Sequence, residues 1–153
     1  MNQFDGVSPD DVRVLFVEDD PAVAQMYKLK LELDGYQVEV AGDGEVALKM
    51  ARKSLPDIIF LDLRLPKLGG LEVLEALRAD PQTQAVPVVI LSSHSGEELV
   101  ERGAKLGVLD HLIKSKTTPA MLEAGIEKWI HEPQTPSGSL PSPRSNNANR
   151  QAI

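Results

Sequence analysis

The chain has 153 residues, no cysteine and a formal net charge of −7, from 16 Lys and Arg against 23 Asp and Glu. That length suits one domain of ordinary size and leaves no room for a second catalytic domain. The lack of cysteine excludes disulfides, thiolate metal sites and cysteine nucleophiles, and the acidic balance has the wrong sign for an electrostatic hold on DNA or an anionic membrane.

Residues 1–11 form a polar N-terminal extension without the apolar core of a secretory signal. No segment approaches the roughly 20 apolar residues of a membrane-spanning helix. A cytoplasmic protein is expected.

Five apolar runs of strand length then alternate with amphipathic segments of helix length, the pattern of βα units around a parallel sheet. Strands are expected near Arg13–Glu18, Gln37–Ala41, Ile58–Asp62, Val86–Ser92 and Asp110–Lys114. The first helix takes Asp20 as N-cap and Pro21 as its first residue, and ends at Asp34-Gly35 with a stripe of Val23, Met26, Tyr27 and Leu31. The second follows Asp43-Gly44, carries Ala47, Leu48, Ala51 and Leu55 at helical spacing, and stops at Pro56. The third shows Leu71, Leu74 and Leu77. The fourth opens on a Ser95-Gly96-Glu97-Glu98 capping box and closes at Gly107. Its interior Gly103 costs about 1 kcal/mol relative to alanine, which makes this helix the loosest. The fifth begins at Thr118-Pro119 and buries Leu122, Ile126, Trp129 and Ile130. Residues 132–153 contain four Pro, four Ser, three Asn and one Gly with few large apolar side chains, the composition of a disordered tail.

The chemistry gathers at strand ends. Ile58-Ile59-Phe60-Leu61 runs into Asp62, and Val14-Leu15-Phe16-Val17 runs into Glu18-Asp19-Asp20. In one parallel sheet these carboxylates converge on the edge where open α/β folds bind ligands. Like charges that close repel, so a cation is expected among them. A hard ion such as Mg²⁺, or Mn²⁺ in its place, suits an oxygen-rich site. No EF-hand spacing is present. The fourth strand adds Ser92 and the fifth Lys114. Acids for a metal, an acid to accept, a hydroxyl and a fixed cation are the parts of an in-line phosphoryl transfer with Asp62 as acceptor.

Val17-Glu18-Asp19-Asp20, Leu61-Asp62-Leu63-Arg64-Leu65-Pro66 followed by Gly70-Leu71-Glu72, Leu91-Ser92-Ser93, and Ile113-Lys114 together give residues 12–131 a close resemblance to the bacterial response regulator receiver domain of two-component signalling. The resemblance implies a flavodoxin-like, doubly wound (βα)5 fold with strand order 2-1-3-4-5. It implies Asp62 as phosphoacceptor, with Asp19, Asp62 and the Arg64 backbone carbonyl as metal ligands and Glu18 acting through water. Ser92 resembles the hydroxyl that moves toward the acyl phosphate, and Lys114 the cation that pairs with it.

Three positions depart from the pattern. His111 stands where the family commonly has an aromatic switch residue, which leaves either an imidazole that stacks or titrates or a half-buried surface residue. Ser115 follows Lys114 in place of the usual proline, and because a non-proline cis bond costs about 2.5 to 4 kcal/mol the isomer there is open. Arg64 and His94 stand two residues beyond Asp62 and Ser92, where family side chains overhang the phosphate. Arg64 is expected either to shield it or to be a solvated loop arginine.

Gly42-Asp43-Gly44-Glu45-Val46-Ala47 matches a dinucleotide fingerprint, but Asp43 and Glu45 would oppose a pyrophosphate at that helix N-terminus. An aspartyl-phosphate phosphohydrolase would want a second aspartate where Arg64 stands. A phosphorylation-independent docking module would have little use for both the acidic pair and the lysine. The expectation is a stand-alone phosphorylation switch rather than an enzyme. A sensor histidine kinase or phosphotransfer protein would feed it, it would signal through an unidentified downstream protein, and a homodimer through the fourth helix, fifth strand and fifth helix would be open to it by family analogy.

Overall fold

The computed structural model describes residues 11–93 and 96–131. Five strands, β1 (Arg13–Val17), β2 (Gln37–Ala41), β3 (Ile58–Leu61), β4 (Val88–Ser92) and β5 (Asp110–Ile113), alternate with five helices, α1 (Pro21–Leu33), α2 (Gly44–Ser54), α3 (Gly70–Ala79), α4 (Glu97–Lys105) and α5 (Pro119–Ile130). The sheet is parallel with order β2-β1-β3-β4-β5, the flavodoxin-like arrangement expected. The tail at 132–153, residues 1–10 of the N-terminal extension, and His94 and Ser95 lie outside the described residues.

Because successive strand side chains point to opposite faces, each apolar run feeds two cores. Val14 and Phe16 of β1 join Ile58, Phe60, Val89 and Leu91 beneath α1 and α5, where Tyr27, Leu31, Leu122, Ile126 and Trp129 close over them. Leu15, Val17, Ile59, Leu61 and Val88 pack with Ala47, Ala51, Val73, Leu74 and Leu77 of α2 and α3 on the other face. Phe16 lies between Tyr27 and Phe60 at ring-centroid distances of 5.0 and 5.8 Å, and Trp129 meets Phe60 edge-on at 5.8 Å.

The helix ends follow their chemistry. Asp20 caps α1 by accepting from the amides of Ala22 and Val23, Asp43 caps α2 through Val46 and Thr118 caps α5 through Met121. Gly35 and Gly107 take the left-handed conformation after α1 and α4. Four details differ from expectation. Met26 is 48 % exposed, because Ala24, Tyr27 and Leu31 form the inner face of α1. Leu55 is 51 % exposed; it terminates α2 at φ 46° and turns away from the core. The N-cap of α4 is Gly96, one residue past the expected Ser95, with no side-chain cap bond. Gly103, expected only to loosen α4, is a packing site, since a Cβ there would come within 2.9 Å of Ile90 Cδ1.

Strand limits also sharpen. β1, β3 and β5 stop one residue before Glu18, Asp62 and Lys114, so these side chains leave from the first loop position beyond the sheet. β4 starts at Val88 and not Val86, because Pro87 has no N–H to give to a ladder.

Candidate functional site

The β1 and β3 strands pair in register, Val17 opposite Leu61, so Glu18 and Asp62 emerge side by side. Their amides continue the ladder by donating to Ala41 O at 3.0 Å and Val17 O at 3.1 Å. Both side chains are nearly enclosed, Glu18 at 3 % exposure and Asp62 at 5 %, whereas Asp19 faces solvent. Carboxylate oxygens of Glu18, Asp19 and Asp62 all lie within 4.8 Å of one another.

Lys114 enters from β5 and bridges the two buried acids, its Nζ 2.5 Å from Glu18 Oε1 and 2.8 Å from Asp62 Oδ2. Each acid spends its other oxygen on a main-chain amide. Asp20 N–H donates to Glu18 Oε2 at 3.1 Å and Arg64 N–H to Asp62 Oδ1 at 3.1 Å. Burial pushes the Glu18 carboxyl above its ordinary value, against the opposing pull of Lys114 and the Asp20 amide. Burial alone would lower the Lys114 ammonium, but its bonds to Asp62 and Glu18 outweigh that and leave it raised.

Three carboxylates thus face one ammonium, a set of hard oxygen donors with surplus negative charge. That donor chemistry fits a divalent cation such as Mg²⁺, which takes one or two carboxylates and keeps waters for a substrate. The loop that follows Asp62 is held tight from beneath. Gly70 packs so closely on Asp62 and Leu63 that a Cβ would overlap the Asp62 carbonyl, and its N–H donates to Leu63 O at 3.0 Å.

Ser92 is buried at the end of β4, in register with Ile113, the residue before Lys114. Arg64 is exposed at the mouth. His111 is half-buried within β5 opposite Ile90, and its amide donates to Asp110 Oδ1. His94 lies outside the described residues. Among the described residues no peptide bond is cis, so the Lys114-Ser115 bond is trans and the chain continues in a single 3₁₀ turn, Lys114–Lys116. The Gly42–Ala47 segment is no phosphate cradle, because Asp43 already occupies the helix N-terminus and Gly44 is pressed against Leu68.

Sequence reasoning missed the residue that holds this site from outside, Tyr27 of α1, which donates to the Thr117 carbonyl at 3.0 Å. It also missed Arg78 of α3, which donates to the carbonyls of Gln84, Val86, Leu106 and Gly107 at the opposite edge of the sheet. Bonds to backbone carbonyls accept any residue type as partner, so they leave no paired signature in a sequence.

An open α/β sheet with an acidic triad, one of its members a buried aspartate, and a bridging lysine at the carboxyl ends of its strands has the parts of a phosphoacceptor class of protein. Residues 14–126 match the response regulator receiver domain family, and the chain belongs to it: it is a receiver domain, the phosphorylation-activated switch of two-component signalling. It is 38 % identical over 124 residues to the DNA-binding response regulator MtrA of Mycolicibacterium smegmatis, covering 79 % of this chain and 53 % of that one. To the DNA-binding dual master transcriptional regulator RpaA of Synechocystis it is 36 % identical over 110 residues, 72 % of this chain and 46 % of the other. The chain therefore aligns with about half the length of these relatives.

Among solved structures, chemotaxis protein CheY4 of Vibrio cholerae superposes with TM-score 0.72 at 30 % identity, covering 77 % of this chain and 98 % of that one. The receiver domain of sensor histidine kinase PA1611 from Pseudomonas aeruginosa, described with a magnesium ion coordinated in its active site cleft, gives TM-score 0.72 at 29 % identity over 79 % of this chain and 98 % of its own. Among the described residues no helix is long and apolar enough to cross a membrane.

Proposed function

We propose that Asp62 accepts a phosphoryl group from the phosphohistidine of a sensor histidine kinase or a phosphotransfer protein. The observation that carries this is the Lys114 ammonium shared between Asp62 and Glu18 beside the exposed Asp19. An Asp62 carboxylate oxygen forms the new bond to phosphorus as the P–N bond to the donor imidazole breaks, and the released imidazole takes up a proton. Water later cleaves the acyl phosphate, returning inorganic phosphate and the carboxylate.

A Mg²⁺ or Mn²⁺ ion held by Asp19, Asp62 and the Arg64 carbonyl, with Glu18 acting through water, would neutralise the charge of the incoming group. Lys114 exchanges its grip on Asp62 for the phosphoryl oxygens, Ser92 meets another of them, and Arg64 overhangs the group and, with His94, sets its lifetime. The protein is its own substrate in this chemistry and promotes only its own phosphorylation and dephosphorylation.

The switch occupies residues 12–131, between an N-terminal extension at 1–11 and a Pro-, Ser- and Asn-rich segment at 132–153. Phosphorylation adds about 1.5 to 2 negative charges at one sheet edge. His111 relays the change to α4, β5 and α5, which engage a downstream protein or a second copy. The net charge of −7 disfavours direct DNA binding by this chain, and the cytoplasm is the fitting compartment.

Incubation with Mg²⁺ and acetyl phosphate followed by intact-mass measurement tests the reading. One phosphoryl group should add to wild type and none to Asp62→Asn. Addition that persists in Asp62→Asn, or none in wild type, would sink it, and turnover of diverse phosphate esters would favour a hydrolase.

A further inference from the structure

We propose that Tyr27 is a positioning residue for Lys114: its hydroxyl, through the Thr117 carbonyl, fixes the turn from which the lysine reaches Asp62. This rests on the proposed role of Lys114. The turn that launches the lysine, Lys114–Lys116, contains no proline, so hydrogen bonds rather than a ring must set its backbone. Thr117 supplies them. Its N–H donates to Lys114 O at 3.2 Å and its Oγ1 donates to Ile113 O at 2.8 Å, so one residue grips the carbonyls of Lys114 and of the residue before it. The Thr117 carbonyl in turn accepts from Tyr27 Oη at 3.0 Å, across a sequence gap of 90 residues.

Tyr27 is itself fixed. It is 2 % exposed and its ring stacks on Phe16 at 5.0 Å, two residues before Glu18. The strand that delivers Glu18 and the helix that follows it therefore also hold the lysine turn, and the acid and the cation share one frame. Burial keeps the phenol protonated well beyond neutral pH, so the donor is present whenever the site works. The hydroxyl is committed to the turn and is no reacting group itself.

A double-mutant cycle reads the connection. Phosphorylation by acetyl phosphate at saturating Mg²⁺ is followed by intact mass, and Mg²⁺ affinity by calorimetry, in wild type, Tyr27→Phe, Lys114→Ala and the double variant. Tyr27→Phe keeps the stacked ring and should slow phosphorylation about 3- to 10-fold, since misplacing a reacting group by a fraction of an ångström costs on that order. Its Mg²⁺ affinity should stay within about twofold, because loosening the lysine turn leaves the carboxylates in place. In the Lys114→Ala background the Tyr27→Phe effect should vanish.

A Tyr27→Phe rate equal to wild type while Lys114→Ala is slow overturns this inference alone. So does an equal fractional loss in both backgrounds, or a fall in Mg²⁺ affinity that tracks the rate. A Lys114→Ala variant as fast as wild type overturns the site reading beneath it and the inference together. Should Tyr27→Phe fail to fold, Thr117→Val removes the Oγ1 bond to Ile113 from the same tether. The same cycle then decides: loss that depends on Lys114 supports the tether, and loss independent of it overturns it.

Discussion

Asp19 differs from its two acidic neighbours in being exposed and, among the described residues, in spending no side-chain oxygen on Lys114 or on a backbone amide. Glu18 and Asp62 are compensated from within the protein, whereas the charge of Asp19 is left for something that arrives from solvent. Asp19→Asn should therefore weaken Mg²⁺ binding by at least about tenfold while changing metal-free stability by no more than about 0.5 kcal/mol, as surface substitutions do. Calorimetric Mg²⁺ titration beside urea unfolding in EDTA checks both halves; affinity within twofold of wild type would remove Asp19 from the metal site. The carboxylates and the lysine were legible in the sequence because each ends an apolar run, and a parallel sheet brings such ends to one edge. Their order of burial was not legible. It depends on register, which leaves Glu18 and Asp62 side by side at the strand ends and Asp19 one step further out, and neighbouring acidic letters look alike until that register exists.

At the scale of elements, one side chain of α3 ties the end of α4 to the segment before β4. Arg78 donates to Leu106 O at 2.7 Å and to Gly107 O at 3.4 Å at the end of α4, and to Val86 O at 2.8 Å and Gln84 O at 3.1 Å in the segment before β4. Burial lowers its guanidinium from the ordinary value, and the group remains a cation at neutral pH. Arg78→Ala should cost about 2 to 4 kcal/mol, because it strands carbonyls that a charged donor had satisfied. Amide hydrogen exchange should speed at residues 106–109 and leave α1 unchanged. Arg78→Lys should recover only part of the loss, since one ammonium cannot span carbonyls that a planar fork reaches together. Uniform exchange across all helices would show instead that Arg78 merely fills space. Element existence was legible from apolar spacing and caps, but element faces were less so. Met26 fits the α1 stripe on paper, yet the buried ring of Tyr27 turns the helix so that Ala24 faces the sheet and Met26 faces water. Arg78, like Tyr27, acts on backbone carbonyls, so nothing in its surroundings announces its role.

The whole molecule carries its acidic excess around a core that includes two tyrosines, and this sets its behaviour in alkali. Tyr36 is 3 % exposed and packs in the core beneath α1 and α5. Burial, with the charges of Glu123, Asp34 and Glu127 adding to it, pushes its phenol up from 10.0 to about 12. The folded protein therefore retains a proton that the unfolded chain gives up between those values. Because the native state binds more protons in that window, stability falls with rising pH. The contribution of Tyr36 is complete below 10.0 and drains away as the pH climbs toward about 12. The self-repulsion of a chain already at −7 acts in the same direction. Tyrosinate absorbance followed together with far-UV circular dichroism should show Tyr36 ionising with loss of helix rather than before it. Tyr36→Phe should flatten the dependence of urea-unfolding stability on pH above 10. A full tyrosinate signal centred on the ordinary value with the helical signal intact would mean that Tyr36 titrates freely in the folded state and that the core beneath α1 and α5 is open to water.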